Sequence, residues 1–482
     1  MRSILLALAL WFSPICFGAT TDFFIDVTNG SNLNSGSSSN AAASFTFTSG
    51  TWDGTSLFTA TGADLSAIVT NTMWASVYVD GATNTAYIGR IEAVDDALDT
   101  ITVSTTAKIG TAPTVGASTR SIKVGGCMMG PRAAGTWPFN TFAATATNAA
   151  GDTSRVLIRG GSNHVMTAGV GHNVAGPIIW EGYTSTPGDG GRWTLVGTNG
   201  AAFIPFTASC SDNTFLNWNV TNNFTSGTTV DNISISGAEN VFRRVGSYNA
   251  RRSGFGVYGP SLLVEIETSG CGVGSATLGS IYLQDAGSRI IRAFIHDNSC
   301  DGLYIAQASV AQDCILSNNQ RNGLISSSIT HTYVSGCTIY SNAWNGIQLI
   351  GTSLQNIHVN NTLLFRNVTN AIGSTGTSLV LGVIENCLFG AGTQASATNI
   401  FNLPSVQTFR LLTNAVDTTP WIDPANGDFR LATGSIARGA GAGGFLTNTS
   451  YGVNMVGYPD IGAVQAITNS ASSAAGNYSF GQ

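Results

Sequence analysis

Along the middle of the chain apolar residues recur in pairs separated by one residue: Phe255/Val257, Ile281/Leu283, Leu303/Ile305 and Ile347/Leu349. A period of two predicts short strands. Each pair follows a small polar knot, as in CTIYSNAWNGIQLIG at 337–351. Related knots read HDNSCDGLYI around Gly302, SNNQRNGLIS around Gly323 and FRNVTNAIGS around Ala371, with YNARRSGFGV around Gly254 and GSATLGSIYL around Gly279 upstream. The anchors 254, 279, 302, 323, 346 and 371 are 25, 23, 21, 23 and 25 residues apart. The knot is therefore one copy of a repeat.

Equivalent positions share chemistry. Four residues before the anchors stand Asn298, Asn319, Asn342 and Asn367; nine before stand Ala293, Cys314, Cys337 and Thr362, continued by Cys387. A coil of roughly 23 residues with short strands has no room for a helix and its loops, and suits a parallel β-helix whose coils stack at about 4.8 Å. The Asn column is expected at a left-handed bend, each amide bonded to the next coil. Gly at the anchor is expected where a Cβ would crowd. Cys314, Cys337 and Cys387 are expected to point inward, with a Cys314–Cys337 disulfide as a minor alternative.

With these motifs the chain resembles the right-handed parallel β-helix proteins of the pectate-lyase-like superfamily, over roughly residues 150 to 465. The handedness comes from that resemblance. RVLIRGG (155–161) and GPIIWEGYTSTPGDGGRWTLVG (176–197) resemble first coils of polysaccharide-active members. WIDPANGDFRLATGSIARGAGAGG (421–444) and YPDIGAVQ (458–465) resemble the closing module of secreted bacterial members, expected to cover the last coil. That module commonly reads Ala-Ile-Asp where this chain has Ile436, Ala437 and Arg438, so a role for the Asp does not carry over.

The fold class is thus all-β: a right-handed parallel β-helix, or solenoid, with a small inserted antiparallel β subdomain near the N-terminus. SVYVDGATNTAYIGRIEAVDDALDTITVS (76–104) alternates like antiparallel strands with turns at Asp80-Gly81 and Asp95-Asp96, and weakly resembles modules of phage virion proteins. The divisions read as 1–19 signal peptide, 20–45 strand and loop, 46–124 β subdomain, 125–410 β-helix, 411–465 closing module and 466–482 flexible tail.

Charge and composition narrow the partners. Only 10 % of the 482 residues are charged, Gly numbers 58, and the net charge is −6, which leaves no basic footprint for nucleic acid. MRSILLALALWFSPICFGA has a basic start, an apolar run and small residues at Gly18 and Ala19, the pattern of a secretory signal, so a secreted, extracellular product is expected. No later run approaches the ~18 apolar residues of a membrane span. Beyond Cys16 the cysteines at 127, 210, 271, 300, 314, 337 and 387 are odd in number and sparse, which argues against a disulfide scaffold. The pattern carries no sign of oligomeric state.

Lyases acting on uronates need a base and a cation for the developing enolate, and glycosidases need a pair of carboxyl groups. The lysines are Lys108 and Lys123, both before the coils, so an Arg or His would have to serve as base. The tight Asp clusters and Arg-x-Lys of β-helix polygalacturonases are absent. Two residues before the anchors come Arg252, Thr277, Cys300, Arg321, Trp344 and Thr369, and one before them come Asp301, Asn322 and Asn345. If these bends point outward, Arg251, Arg252, Arg321, Trp344, Asn322 and Asn345 form a binding strip for a polysaccharide or cell-surface glycan, with Arg321, Asp297, Asp301 and His296 as candidate catalytic groups. The competing reading is a solvated edge with ordinary ion pairs. His164, His172, His331 and His358 have no metal spacing, no metal ligand set or cofactor motif is present, and Asp95, Asp96 and Asp99 lack the pattern of a Ca²⁺ loop. The expected function is a secreted β-helix protein that binds an extracellular polysaccharide, with cleavage by a lyase or glycosidase mechanism left open. The alternative is a non-catalytic adhesin or phage tail appendage using the β-helix as a rigid glycan-contacting rod.

Overall fold

The computed structural model describes residues 21–25, 43–70, 73–80, 87–110, 119–125, 154–161, 163–166, 169–172, 178–197, 204–222, 230–273, 279–327, 331–350, 355–375, 380–390, 401–402, 408–412, 415–417, 420–438 and 463. The expected leader at 1–19, the loop after Ile25 and the tail at 466–482 lie outside them, as do Cys127 and Thr277. The chain divides into two compact units, 1–162 with 173–193 and 212–214, and 163–172 with 194–211 and 215–482.

In the first unit six antiparallel strands, Phe45–Trp52, Leu57–Thr59, Trp74–Val79, Tyr87–Asp95, Thr100–Gly110 and Arg120–Val124, close into a barrel. Alternation places Val77, Ile91, Ile101, Val103 and Ile122 in its core with Trp52, Phe58 and Leu65. Asp95, Asp96 and Asp99 hold its turns: Asp95 accepts from the Ala97 and Leu98 amides, Asp96 from Leu65 and Asp99 from Gly62. Also in this unit, Thr21–Ile25 pairs in parallel with Ser154–Arg159, which pairs in turn with Ile178–Tyr183.

The second unit is the β-helix. Three strands make each regular coil, and they stack into sheets denoted A, B and C. Sheet A runs through Ser261–Val264, Arg289–Ile291, Ser309–Gln312, His331–Ser335, Gln355–Asn360 and Val380–Glu385. Sheet B runs through Glu267–Ser269, Phe294–His296, Ile315–Ser317, Thr338–Tyr340, Leu363–Phe365 and Leu388–Gly390. Sheet C has ten strands among the described residues, from Val170–His172 to Phe401–Asn402. Thr408–Leu412 and Ala415–Asp417 add another parallel strand to sheets A and B, so coil structure continues to Asp417.

The repeat keeps its register with one correction. Leu303, Leu324, Ile347 and Ile372 pair in sequence, which stacks Gly302, Gly323, Gly346 and Ala371. Upstream, Ile281 pairs with Leu303 and Gly279 with Asp301, so the anchor of that coil is Ser280 and not Gly279. A Cβ on Gly302 would stand 2.5 Å from the Gly323 carbonyl oxygen, and one on Gly346 2.7 Å from that of Ala371. The anchor glycines let neighbouring coils approach.

The bends also correct the sequence reading. The left-handed residue is not the column Asn but the one before it: Asp297 (φ 52), Asn318 (φ 54), Ser341 (φ 55) and Arg366 (φ 52). Asn298, Asn319, Asn342 and Asn367 turn inward, and each amide donates to the next at 2.9, 2.9 and 3.0 Å. Cys314, Cys337 and Cys387 are buried thiols, and Cys314 and Cys337 are not bridged.

The described part of the C-terminal segment covers a lateral face of the coils, and much of the module expected to cover the last coil, 439–462, lies outside the described residues. Its described part, with the hairpin Trp421–Asp423 and Asp428–Leu431, packs Trp421, Phe429, Leu431, Ala437 and Ala463 on the outer face of sheet B at Ile315, Tyr340, Leu363, Phe365 and Leu388. The Ala463 amide donates to Thr338 Oγ1 at 3.1 Å on the same face.

Candidate functional site

The corner between sheets B and C carries most of the predicted residues, and the structure separates them into four groups. Arg321 and Trp344 come together, the guanidinium carbon 4.4 Å from the ring centroid. Adjacent bends stack here, the Trp344 amide donating to the Arg321 carbonyl and that of Thr369 to Trp344. Trp344 is 45 % exposed. Beneath it Arg321 reaches the carboxylate of Asp301 at 3.4 Å.

Asp301, Asn322 and Asn345 are not outward, which corrects the expected strip. They are buried and form a second amide ladder: Asn322 Nδ2 donates to Asp301 at 2.7 Å, Asn345 to Asn322 at 3.1 Å and Asn370 to Asn345 at 2.7 Å. Their side chains are engaged in closing the bend, since a buried amide without partners would cost on the order of 1–3 kcal/mol. Burial raises the Asp301 carboxyl, against the lowering effect of the Asn322 bonds and Arg321.

Further back on the same edge Arg252 is clamped. It forms a bidentate pair with Asp231 at 2.8 and 2.5 Å, and its Nη2 also donates to the Tyr258 hydroxyl at 2.9 Å. Asp231, almost fully buried, was missed from the sequence because it lies in the coil before the first recognised anchor. Its bond and charge raise the Arg252 guanidinium further. Burial and then the Asp231 charge push Tyr258 up to about 12. Arg251 is half-buried, and its Nε makes no hydrogen bond among the described residues.

From this clamp an aromatic column runs over the outer face of sheet C. Tyr258 meets Tyr282 edge to face at 6.1 Å, and Tyr282 meets Tyr304 at 5.2 Å. Tyr282 and Tyr304 occupy the middle of the apolar pairs Ile281/Leu283 and Leu303/Ile305, at paired positions. Comparing that middle residue between coils would have found them.

His296 and Asp297 belong to a group on the sheet B side of the corner. His296 Nδ1 is 2.6 Å from Asp297 Oδ2 and its Nε2 3.5 Å from Glu267 Oε1, while the Tyr248 hydroxyl donates to the other Glu267 oxygen at 2.9 Å. The ring stacks on Phe294 at 3.9 Å. Burial lowers the imidazole pKa, but the two carboxylates outweigh it and hold His296 above its ordinary value. Flanked this way it is a proton holder more than a base.

The coil register and the sequence agree on the fold, and residues 233–389 match the family model described as a right handed beta helix region. Among solved structures, pectate lyase Pel9A is similar at 13 % identity, with 65 % of this chain and 88 % of that one covered and a TM-score of 0.40. The A-module of the Azotobacter vinelandii mannuronan C-5 epimerase AlgE4 is similar at 11 % identity, with 57 % and 90 % covered and a TM-score of 0.40. ORF18 of Geobacillus virus E2 is similar at 14 % identity, with 57 % and 55 % covered and a TM-score of 0.29. Comparison with curated proteins gives no match. Among the described residues no helix is long and apolar enough to cross a membrane.

Proposed function

We propose that the protein is extracellular and binds a polysaccharide or cell-surface glycan along the corner between sheets B and C and the adjoining face of sheet C. The observation that carries this reading is Trp344, which stands exposed while the other described tryptophans are buried. A ring held in water with a guanidinium against it offers a face for the apolar side of a sugar and donors for its hydroxyls or an acidic group. Tyr258, Tyr282 and Tyr304 add rings on neighbouring coils, so a linear ligand lying along the β-helix axis meets aromatic surface on successive coils.

The clamped residues weigh against chemistry at the strip itself. Arg252 and Asp301 have internal partners, which fits recognition better than turnover. Cleavage is a second reading, favoured by one observation, the Tyr248–Glu267–His296–Asp297 group on the other side of the same corner. Proton transfer would be sited there, as lyase or glycosidase chemistry. Binding without turnover corresponds to an adhesin or appendage.

The test is a panel of uronate and neutral polysaccharides, with binding followed calorimetrically, unsaturated ends by ultraviolet absorbance and new reducing ends by assay. At least one polymer should bind, and Trp344→Ala should weaken it by on the order of 1 kcal/mol, the size of a cation–π or stacking contact. Turnover abolished by His296→Ala with binding kept would make the protein an enzyme. Binding with no turnover for any polymer would make it a binding module. No binding, or binding indifferent to Trp344, ends the reading.

A further inference from the structure

Asp301 is a buried carboxylate with an uneven set of partners. Its Oδ1 accepts from the Asn322 backbone amide at 2.9 Å and from Asn322 Nδ2 at 2.7 Å. Its Oδ2 is buried and accepts no hydrogen bond; the ion pair there is the Arg321 guanidinium at 3.4 Å. That guanidinium in turn lies under the exposed ring of Trp344, with its Nε buried and without a hydrogen bond. The cation of the corner is therefore matched from the inside, by a group no ligand can touch. Among the described residues the titratable group that faces the pair is the thiol of Cys300, in the same bend. Burial holds that thiol neutral, so the charge next to the Trp344 ring is that of the Asp301–Arg321 pair.

We propose that Asp301 is a built-in counter-ion that sets which ligands the Arg321–Trp344 corner accepts: ionised, it leaves a nearly neutral stacking surface suited to uncharged sugars, and neutral, it releases a full positive charge toward carboxylated or sulfated ones. The proposal rests on the glycan reading for its ligand class and on the Asp301–Arg321–Trp344 geometry for its switch. At close range and partly out of water a counter-ion changes the local potential strongly, because little solvent lies between the charges to screen them. Burial also places the Asp301 titration above that of an ordinary aspartate, so acidification neutralises it before an exposed aspartate. Asn at this position keeps the ladder, since Asn322, Asn345 and Asn370 are the following rungs and an amide oxygen can accept the same two bonds. Asp301→Asn should therefore fold.

The experiment reads the charge beside Trp344 without needing a glycan. Trp344 fluorescence, isolated as the difference from Trp344→Ala, is quenched with iodide, which senses local charge, and with acrylamide, which does not. The iodide-to-acrylamide ratio should be about two-fold higher in Asp301→Asn than in the wild type near pH 7.5, as expected when a counter-ion is removed at close range. Acidification should raise the wild-type ratio toward the variant's and leave the variant nearly flat, and Arg321→Gln should lose the effect. Equal ratios in wild type and Asp301→Asn at every pH would overturn the proposal. In a second arm, dextran and dextran sulfate are compared as ligands, and Asp301→Asn should shift preference toward the sulfated polymer about five-fold. A changed iodide ratio with neither polymer bound in a Trp344-dependent way keeps the switch and removes glycan as its object. Trp344-dependent binding with an unchanged ratio removes the switch and keeps the glycan reading.

Discussion

His296 shows how one side chain links local geometry to a measurable property. Burial disfavours its imidazolium form, but two carboxylates outweigh that, and the folded pKa lies above the ordinary value. A group raised in this way adds stability that is fully present below the unfolded pKa of about 6.5 and is lost as pH rises through the folded value. Wild-type stability should therefore fall over that window by on the order of 1 kcal/mol, the size of a charge-assisted hydrogen bond. His296→Gln should be less stable at low pH and lack the fall. Urea midpoints measured from pH 6 upward avoid the range in which ordinary carboxylates titrate, and parallel curves for the two proteins would rule the assignment out.

At the scale of the element the two amide ladders join one coil to the next. Asn319 donates from Nδ2 to Asn342 and to the Ile295 carbonyl, and accepts from both the side chain and the amide of Asn298. Asn319→Ala removes a partner from each and leaves buried donors and acceptors unpaired, so urea denaturation should show a loss of roughly 2–4 kcal/mol, more than one such group alone costs. Asn318→Ala, at the left-handed position beside it, should cost about 1–2 kcal/mol, the strain of that backbone for a residue with a plain Cβ. A similar cost at both sites would mean that the ladder adds nothing beyond bend geometry. Native thiol labelling should be slow at the inward Cys314, Cys337 and Cys387, and burial holds the Cys337 and Cys387 thiols well above their ordinary pKa. Fast modification of any of them would contradict its inward placement.

The same bends explain what could be read from the sequence. The ladder Asn and the inward pairs recur because each must match its neighbour in the next coil, and that repetition is visible in one chain. The left-handed sites hold Asp297, Asn318, Ser341 and Arg366, with no shared chemistry, because their backbone is imposed by the ladder and not by their own side chains. Asn322 and Asn345 were misplaced outward because strict alternation stops at a bend, where consecutive residues no longer take opposite faces. Trp344 and Arg321 were placed together correctly, since stacking needs only the coil length.

At the scale of the molecule, the β-helix unit uses its C-terminal segment to bury a face that its strands leave apolar. Ile315, Tyr340, Leu363, Phe365 and Leu388 point outward from sheet B while Leu316, Ile339 and Leu364 point inward, so strands such as Leu363–Phe365 are apolar on both faces. Two-sided apolar strands signal a covered sheet. The sequence carried that signal, but what covers the face lies far along the chain and no local pattern names it. Trp421 is the centre of the cover: it meets Tyr340 at 5.2 Å, Phe365 at 4.8 Å and Phe429 at 5.8 Å, all edge to face. Trp421→Ala should cost about 3–5 kcal/mol of cover docking, the range for a buried aromatic truncated without collapse of its site. The coils are held separately by their ladders and inward columns, so the loss should appear as local opening and not as global unfolding. Hydrogen exchange should accelerate in 420–438 of the variant and stay slow in the inward-facing strands of sheet C, with new binding of a hydrophobic dye at the bared face of sheet B. Acceleration spread evenly over all three sheets would show instead that cover and coils unfold as one cooperative unit.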